Sequence, residues 1–192
     1  MKKTTLLILL CGAITAQADI TLPKAIDSKM VLQRDKEVPV WGWADQGEEV
    51  TVEFAGQVKK AMPDASGKWM LKLDPMPASA ESRTMTVKGK NEIKLEDVLV
   101  GEVWLASGQS NMQLTFFETH PQEWTEAQTQ KGNRLVRALH VNRCVAAYPL
   151  DDISGKWKDC AEMLTNAERF HPSPHSNPLI GEPDNDYRIE DD

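Results

Sequence analysis

The chain has 192 residues, enough for one or two domains. Its 41% hydrophobic and 27% charged content is ordinary for a soluble folded protein. A formal net charge of -7 argues against nucleic acid and against anionic membrane surfaces as partners.

The first eighteen residues read as a secretion signal. Lys2 and Lys3 form a short basic start, and the apolar run from Leu6 to Ile14 is too short to span a bilayer. Ala16-Gln17-Ala18 has the small-x-small form of a cleavage site, so the mature protein is expected to begin at Asp19 in the periplasm or outside a bacterial cell. Of the three cysteines, Cys11 leaves with that segment. Cys144 and Cys160 remain, and an oxidising compartment permits a bond between them or two separate thiols. No Cys/His spacing suggests a metal site, and no cofactor is implied.

Residues 19–100 read as an all-β domain of the sandwich type. Short alternating runs are separated by turns at near-regular spacing. Val38-Pro39-Val40 reads as a strand start or an edge, because proline cannot donate to a ladder. Val50, Val52 and Phe54 alternate with Thr51 and Glu53, and Ala55-Gly56 closes a hairpin onto residues 57–62. Asp64-Ala65-Ser66-Gly67 is a second turn and Gly89-Lys90-Asn91 a third. The expected core is Val40, Val50, Val52, Phe54, Trp69, Leu71, Leu73, Met85, Val87, Ile93 and Leu95. The six tryptophans read first as core packing and second as platforms for sugar rings.

The stretch from Val98 to Met112 carries the chemistry. Val98-Leu99-Val100 and then Val103-Trp104-Leu105-Ala106 are apolar, and the second run reads as a parallel strand buried on both faces. Ser107-Gly108-Gln109-Ser110-Asn111 follows. This places Ser110 in the loop at a strand's carboxyl end, where open α/β sheets bind ligands. Gly108 allows the backbone to turn and approach a substrate closely. A Ser/Asn helix cap is the plainer reading of the same residues, and a capping position can still hold a nucleophile.

Beyond Met112, Pro121 to Lys131 reads as a helix with proline at its tolerated first position. Leu135 to Val141 reads as a second parallel strand, which would complete a βαβ unit. His140 on that strand reads as a packed core histidine, and His120 lies in a loop near Ser110. A helix is expected to begin near Glu162. The last segment, 171–192, is proline-rich and then acidic, a composition that favours disorder.

The string Gly101-Glu102-Val103-Trp104-Leu105-Ala106-Ser107-Gly108-Gln109-Ser110-Asn111-Met112 resembles the first signature block of the sialate O-acetylesterase family. Residues 30–34, 38–44, 67–69 and 155–160 are similar to the same family, so the resemblance runs from about Leu22 to Phe170. These are SGNH-type serine hydrolases with a Gly-Gln-Ser-Asn-Met loop. The resemblance implies a jelly-roll or immunoglobulin-like N-terminal domain over 19–100 and the start of an α/β hydrolase domain over 101–170. It implies Ser110 as nucleophile, supported by Gly108, Gln109 and Asn111, acting on O-acetylated sugar such as sialic acid. Ala106 stands where the family often has Cys or Ser.

In the family the proton acceptor is a histidine of an Asp-x-x-His block, and a glycine and an asparagine from later blocks complete the oxyanion hole. No Asp-x-x-His occurs in this sequence, and the resemblance stops at His171. A serine hydroxyl without a neighbouring base is a poor nucleophile. The expectation is therefore a truncated esterase with little activity alone. A secreted β-sandwich module that binds glycan or protein without turnover is the alternative, and a non-functional fragment is a third reading.

Overall fold

The computed structural model describes residues 19–109, 129, 132–142 and 146–163. Among these the fold is mostly β. The strands are β1 (Val31–Gln33), β2 (Val38–Trp43), β3 (Val50–Phe54), β4 (Gln57–Ala61), β5 (Lys68–Leu73), β6 (Ser79–Lys88), β7 (Glu92–Gly101), β8 (Arg137–Val141) and β9 (Gly155–Asp159). Five of them form a mixed sheet in the order β1-β7-β6-β3-β4, while β2 pairs with β5 and β8 with β9.

Local chemistry explains the hairpins. Ala55 and Gly56 both have positive φ, 49° and 78°, as a two-residue turn matched to strand twist requires, and Phe54 pairs with Gln57 across it. The Asp64 carboxylate accepts hydrogen bonds from the Ser66 amide at 2.8 Å, the Ser66 hydroxyl at 2.6 Å and the Lys68 amide at 3.1 Å, which fixes the turn into β5. Those bonds to the ionised form hold the Asp64 carboxyl below the usual carboxylate range. Pro39 lies exposed in β2, whose ladder partner is β5 alone apart from a bridge between Trp43 and Thr21. Gly42 is required by close approach, because a Cβ there would collide with the Thr21 carbonyl.

The five-stranded sheet and the β2–β5 pair share one core. Val40, Trp69, Leu71 and Leu73 from the pair meet Val50, Val52, Phe54, Met85, Val87 and Leu95 from the sheet in a single buried cluster. The sequence reading named all of these. It also named Ile93, which is half-buried against the cluster. Ile20, Ile26, Met30 and Leu32 join the core from the N-terminal segment, where no alternation marks them.

Two expectations are corrected. Val103–Ala106 forms no strand, and Trp104 and Leu105 are 86% and 94% exposed. The strand buried on both faces lies just before it: Val98, Leu99 and Val100 close β7, and Leu99 pairs with Val31 of β1 in parallel. Past Gly101 no neighbouring strand is described, and among the described residues nothing covers the second apolar run. Leu135–Val141 does contain a strand, β8, but it runs antiparallel to β9, with Leu139 opposite Trp157. The Asn142 amide donates to the Ser154 carbonyl at 2.8 Å, which extends the antiparallel pairing one step past Val141 and Gly155. The expected helix over 121–131 lies outside the described residues except for Thr129, as do the signal segment 1–18 and the tail 171–192.

The β8–β9 hairpin docks onto the larger β body. The Trp157 indole donates to the Ala25 carbonyl at 2.9 Å, the Lys24 amide donates to Asp152 at 2.9 Å, and Lys29 bonds Glu162 at 2.6 Å.

Candidate active site

The exit from β7 positions the candidate loop. The Gly101 carbonyl accepts from the Arg34 amide at 2.9 Å, which carries the β1–β7 pairing one step past Gln33. The Gln33 side chain then does what a further strand would do. Its oxygen accepts from the Val103 amide at 2.9 Å and its nitrogen donates to Glu102 at 3.2 Å. Beyond this pin the chain runs exposed through Gly108 and Gln109. Ser110 and Asn111 follow in sequence and lie outside the described residues, as do His120, His171, His175 and Cys144. Cys160 is buried. His140 is exposed on β8, opposite Lys156, and is not a packed core histidine, because a two-stranded hairpin leaves that end of β8 uncovered.

A groove of about 450 Å³ opens beside the loop, lined among others by Val31, Leu99, Trp104, Leu135, Val136 and Arg137. Its lining is mainly apolar, and its polar members are engaged except at Arg137 Nε, which is buried without a hydrogen-bond partner among the described residues. Arg137 grips Asp97, Glu102 faces Gln33 and Arg34, and the Ser79 hydroxyl accepts from the Glu81 amide. The Arg137 bond is the main reason the Asp97 carboxyl sits below its ordinary range; burial pushes the other way. Asp97 has a φ of 57°, in the left-handed region that aspartate tolerates better than most residues.

A second cluster ties the end of β9 to the β body. The Glu162 amide donates to Asp159 at 2.9 Å and the Asp159 amide donates to Glu162 at 3.2 Å, a reciprocal cap on the helical turn at 160–163. Lys29 lies 2.6 Å from Glu162 and 3.7 Å from Asp159. The Glu162 backbone bond lowers the Asp159 carboxyl, and the Lys29 hydrogen bond lowers that of Glu162. Asp-x-x-Glu was the sequence signal for this cap, placing the helix start at Cys160, two residues before the expected Glu162. Among the described residues no group of His, Cys, Asp and Glu could hold a metal ion, and no helix is long and apolar enough to cross a membrane.

No family model matches the chain. Individual proteins do. It is 35% identical over 141 residues to a sialate O-acetylesterase of Rattus norvegicus, and 34% identical to those of Mus musculus and Homo sapiens over 140 and 139 residues. The crystal structure of a carbohydrate acetylesterase from Xanthomonas citri superposes with a TM-score of 0.65 at 32% identity, covering 76% of this chain. The chain belongs to the sialate O-acetylesterase family. Matches span 68% of the chain against the rat sialate O-acetylesterase and 67% against those of mouse and human. The chain spans 26% of the length of those curated relatives and 33% of the Xanthomonas acetylesterase. The relatives are thus far longer than the part matched here.

Proposed function

We propose that this chain carries the serine-bearing part of a carbohydrate O-acetylesterase. Ser110 is the nucleophile in this reading. Its hydroxyl attacks the acetyl carbonyl of an O-acetylated sugar, the sugar hydroxyl leaves, and water releases acetate from the acetyl-serine. The Ser110 amide contributes to the oxyanion hole, and Gly108, Gln109 and Asn111 shape the loop. The N-terminal β body is a jelly-roll or immunoglobulin-like sandwich, and 101–170 opens an SGNH-type hydrolase domain. The protein works in the periplasm or outside the cell after removal of residues 1–18. The observation that carries the reading is the family membership combined with the intact Gly-Gln-Ser-Asn-Met string at 108–112, which begins in the exposed loop after β7.

The chain alone is expected to hydrolyse acetyl esters at background rate, because no Asp-x-x-His is present to activate the serine. A chimera tests the esterase reading: residues 19–163 of this chain replace their counterpart in the Xanthomonas acetylesterase. Acetyl-ester hydrolysis by the chimera, falling by roughly four to six orders of magnitude in Ser110→Ala, is the expected result. A folded chimera with hydrolysis unaffected by Ser110→Ala would overturn the assignment. Ser110-dependent turnover by the chain alone would overturn its low activity.

A further inference from the structure

The outer face of the β2–β5 pair carries side chains that the core does not use. Trp41 and Trp43 stand two positions apart on β2, so both lie on the face opposite the one that buries Val40 and Trp69. Across the ladder Met70 lies opposite Trp41 and Lys68 opposite Trp43. Both tryptophans are half-buried, Trp41 in part against the core cluster, and Met70 is exposed. The backbone beneath them is fixed. Trp43 pairs with Lys68 on one side and exchanges bonds of 2.9 and 3.0 Å with Thr21 on the other. Three donors on this face are unused. Among the described residues neither the Trp41 nor the Trp43 indole N–H has a hydrogen-bond partner, whereas the Trp157 indole donates to Ala25. Among the same residues Lys68 closes no ion pair, while Lys72 on the same face is held by Glu37 at 2.8 Å. The Asp64 carboxylate near Lys68 is taken up by Ser66 and by the Lys68 amide.

A half-buried indole offers a flat apolar surface and a polar N–H edge. A pyranose ring offers the complement, a face of C–H groups with hydroxyls around its rim. Two indoles on one strand face, about 6.5 Å apart along it, suit successive rings of a glycan chain. We propose that the outer face of the β2–β5 pair is a glycan-binding platform, on which Trp41 and Trp43 stack against sugar rings and Lys68 donates to a hydroxyl or carboxylate at the rim. None of these three residues lines the groove beside Trp104, so the platform is a second surface and not part of that groove. It holds the sugar without reacting with it and does not need Ser110. The choice of sugar as the flat ligand rests on the carbohydrate reading above.

The test titrates the nitrogen-15-labelled full chain with sialyllactose, an acidic glycan, and separately with xylotetraose, a neutral one. It follows the indole N–H resonances, assigned by replacing each tryptophan in turn. The expected result is a saturable shift of the Trp41 and Trp43 signals with at least one of the two sugars, while those of Trp69 and Trp157 stay in place. Trp43→Ala weakens binding by about tenfold or more. Lys68→Ala, a surface change that leaves the circular dichroism unaltered, weakens it as well. A Lys68 effect confined to sialyllactose assigns the ammonium to a carboxylate, and an equal effect with both sugars assigns it to a hydroxyl. Absence of a shift with either sugar, or binding as strong in Lys68→Ala and in Trp43→Ala as in the parent, overturns the proposal. So does a homodimer that Trp43→Ala dissolves, since the face would then belong to a second copy. Ester hydrolysis is scored on the chimera above, so sugar binding without Ser110-dependent turnover there counts against the proposed function and not against the platform.

Discussion

Arg137 and Asp97 meet side by side: Nη1 lies 2.8 Å from Oδ2 and Nη2 lies 3.0 Å from Oδ1, across forty residues of sequence. The arginine side chain is only 2% exposed, whereas that of Asp97 is 27% exposed. The pair fastens β8 to β7 just before β7 leads into the serine loop.

Removing the carboxylate leaves a buried guanidinium without its partner, which is costlier than deleting both groups. Asp97→Ala is expected to destabilise the protein by about 2 to 3 kcal/mol, the solvent access of Asp97 keeping the loss below that of a fully buried pair. Urea unfolding measures it. Because the bond anchors β8, limited proteolysis should cut within 132–163 earlier in the variant than in the parent. Equal cleavage would show that β8 is held by packing alone.

Acid should loosen the same region. The Asp97, Asp159 and Glu162 carboxyls are all held below their ordinary values by partners that bind the ionised form. The unfolded chain therefore takes up these protons first as pH falls. The stability they contribute is complete above the ordinary carboxylate values and drains away as pH drops through the depressed folded ones. Protease sensitivity of 132–163 should rise on acidification before the 19–101 body melts. In Asp97→Asn the same scan should be flatter, since one of the three titrating groups is gone. A wild-type profile that stays level through the carboxylate range would contradict the assignment.

Gly42→Ala tests the seam between the N-terminal segment and β2. The added methyl would strike the Thr21 carbonyl and crowd Trp69, both firmly placed. A loss of about 2 kcal/mol or more is expected in thermal or urea melts. Gly47→Ala, at a positive φ with open space around it, should cost about 1 kcal/mol through backbone strain alone.

Trp69→Ala empties the centre of the shared core. The indole is 1% exposed and lies among residues of both sheets. The expected loss is about 3 to 5 kcal/mol, read by chemical denaturation. Its indole nitrogen is buried without a hydrogen-bond partner among the described residues, so Trp69→Phe should cost distinctly less than Trp69→Ala.

The sequence carried the β body because its signals are local. Val50, Val52 and Phe54 alternate, and Ala55-Gly56 can turn only one way, so periodicity and turn chemistry agree. The direction of β8 was not legible, because a strand's own residues do not say which neighbour it will meet. The partner it meets is β9, more than a dozen residues further on, and only the pairing of Leu139 with Trp157 shows the direction. Val103–Ala106 misled for a related reason: its composition is that of a buried strand, and composition cannot report whether a cover is present. Val98–Val100 fits the same description and does have cover, from β1. At the candidate site, Gly108 and Gln109 lie exposed several residues past the end of β7 and not at the end of a strand over 103–106, while Ser110 and Asn111 lie beyond the described residues. Lys29 facing Asp159 and Glu162 could not be foreseen, since more than a hundred residues separate the partners.

Gln33 lies some seventy positions upstream of the two residues it holds, Glu102 and Val103. A carboxamide in β1 thereby sets the heading on which the chain leaves the β body. The N-terminal strands are then more than an appended module: exchanging them for another sandwich, however stable, would re-aim the serine loop unless an equivalent side chain came with them.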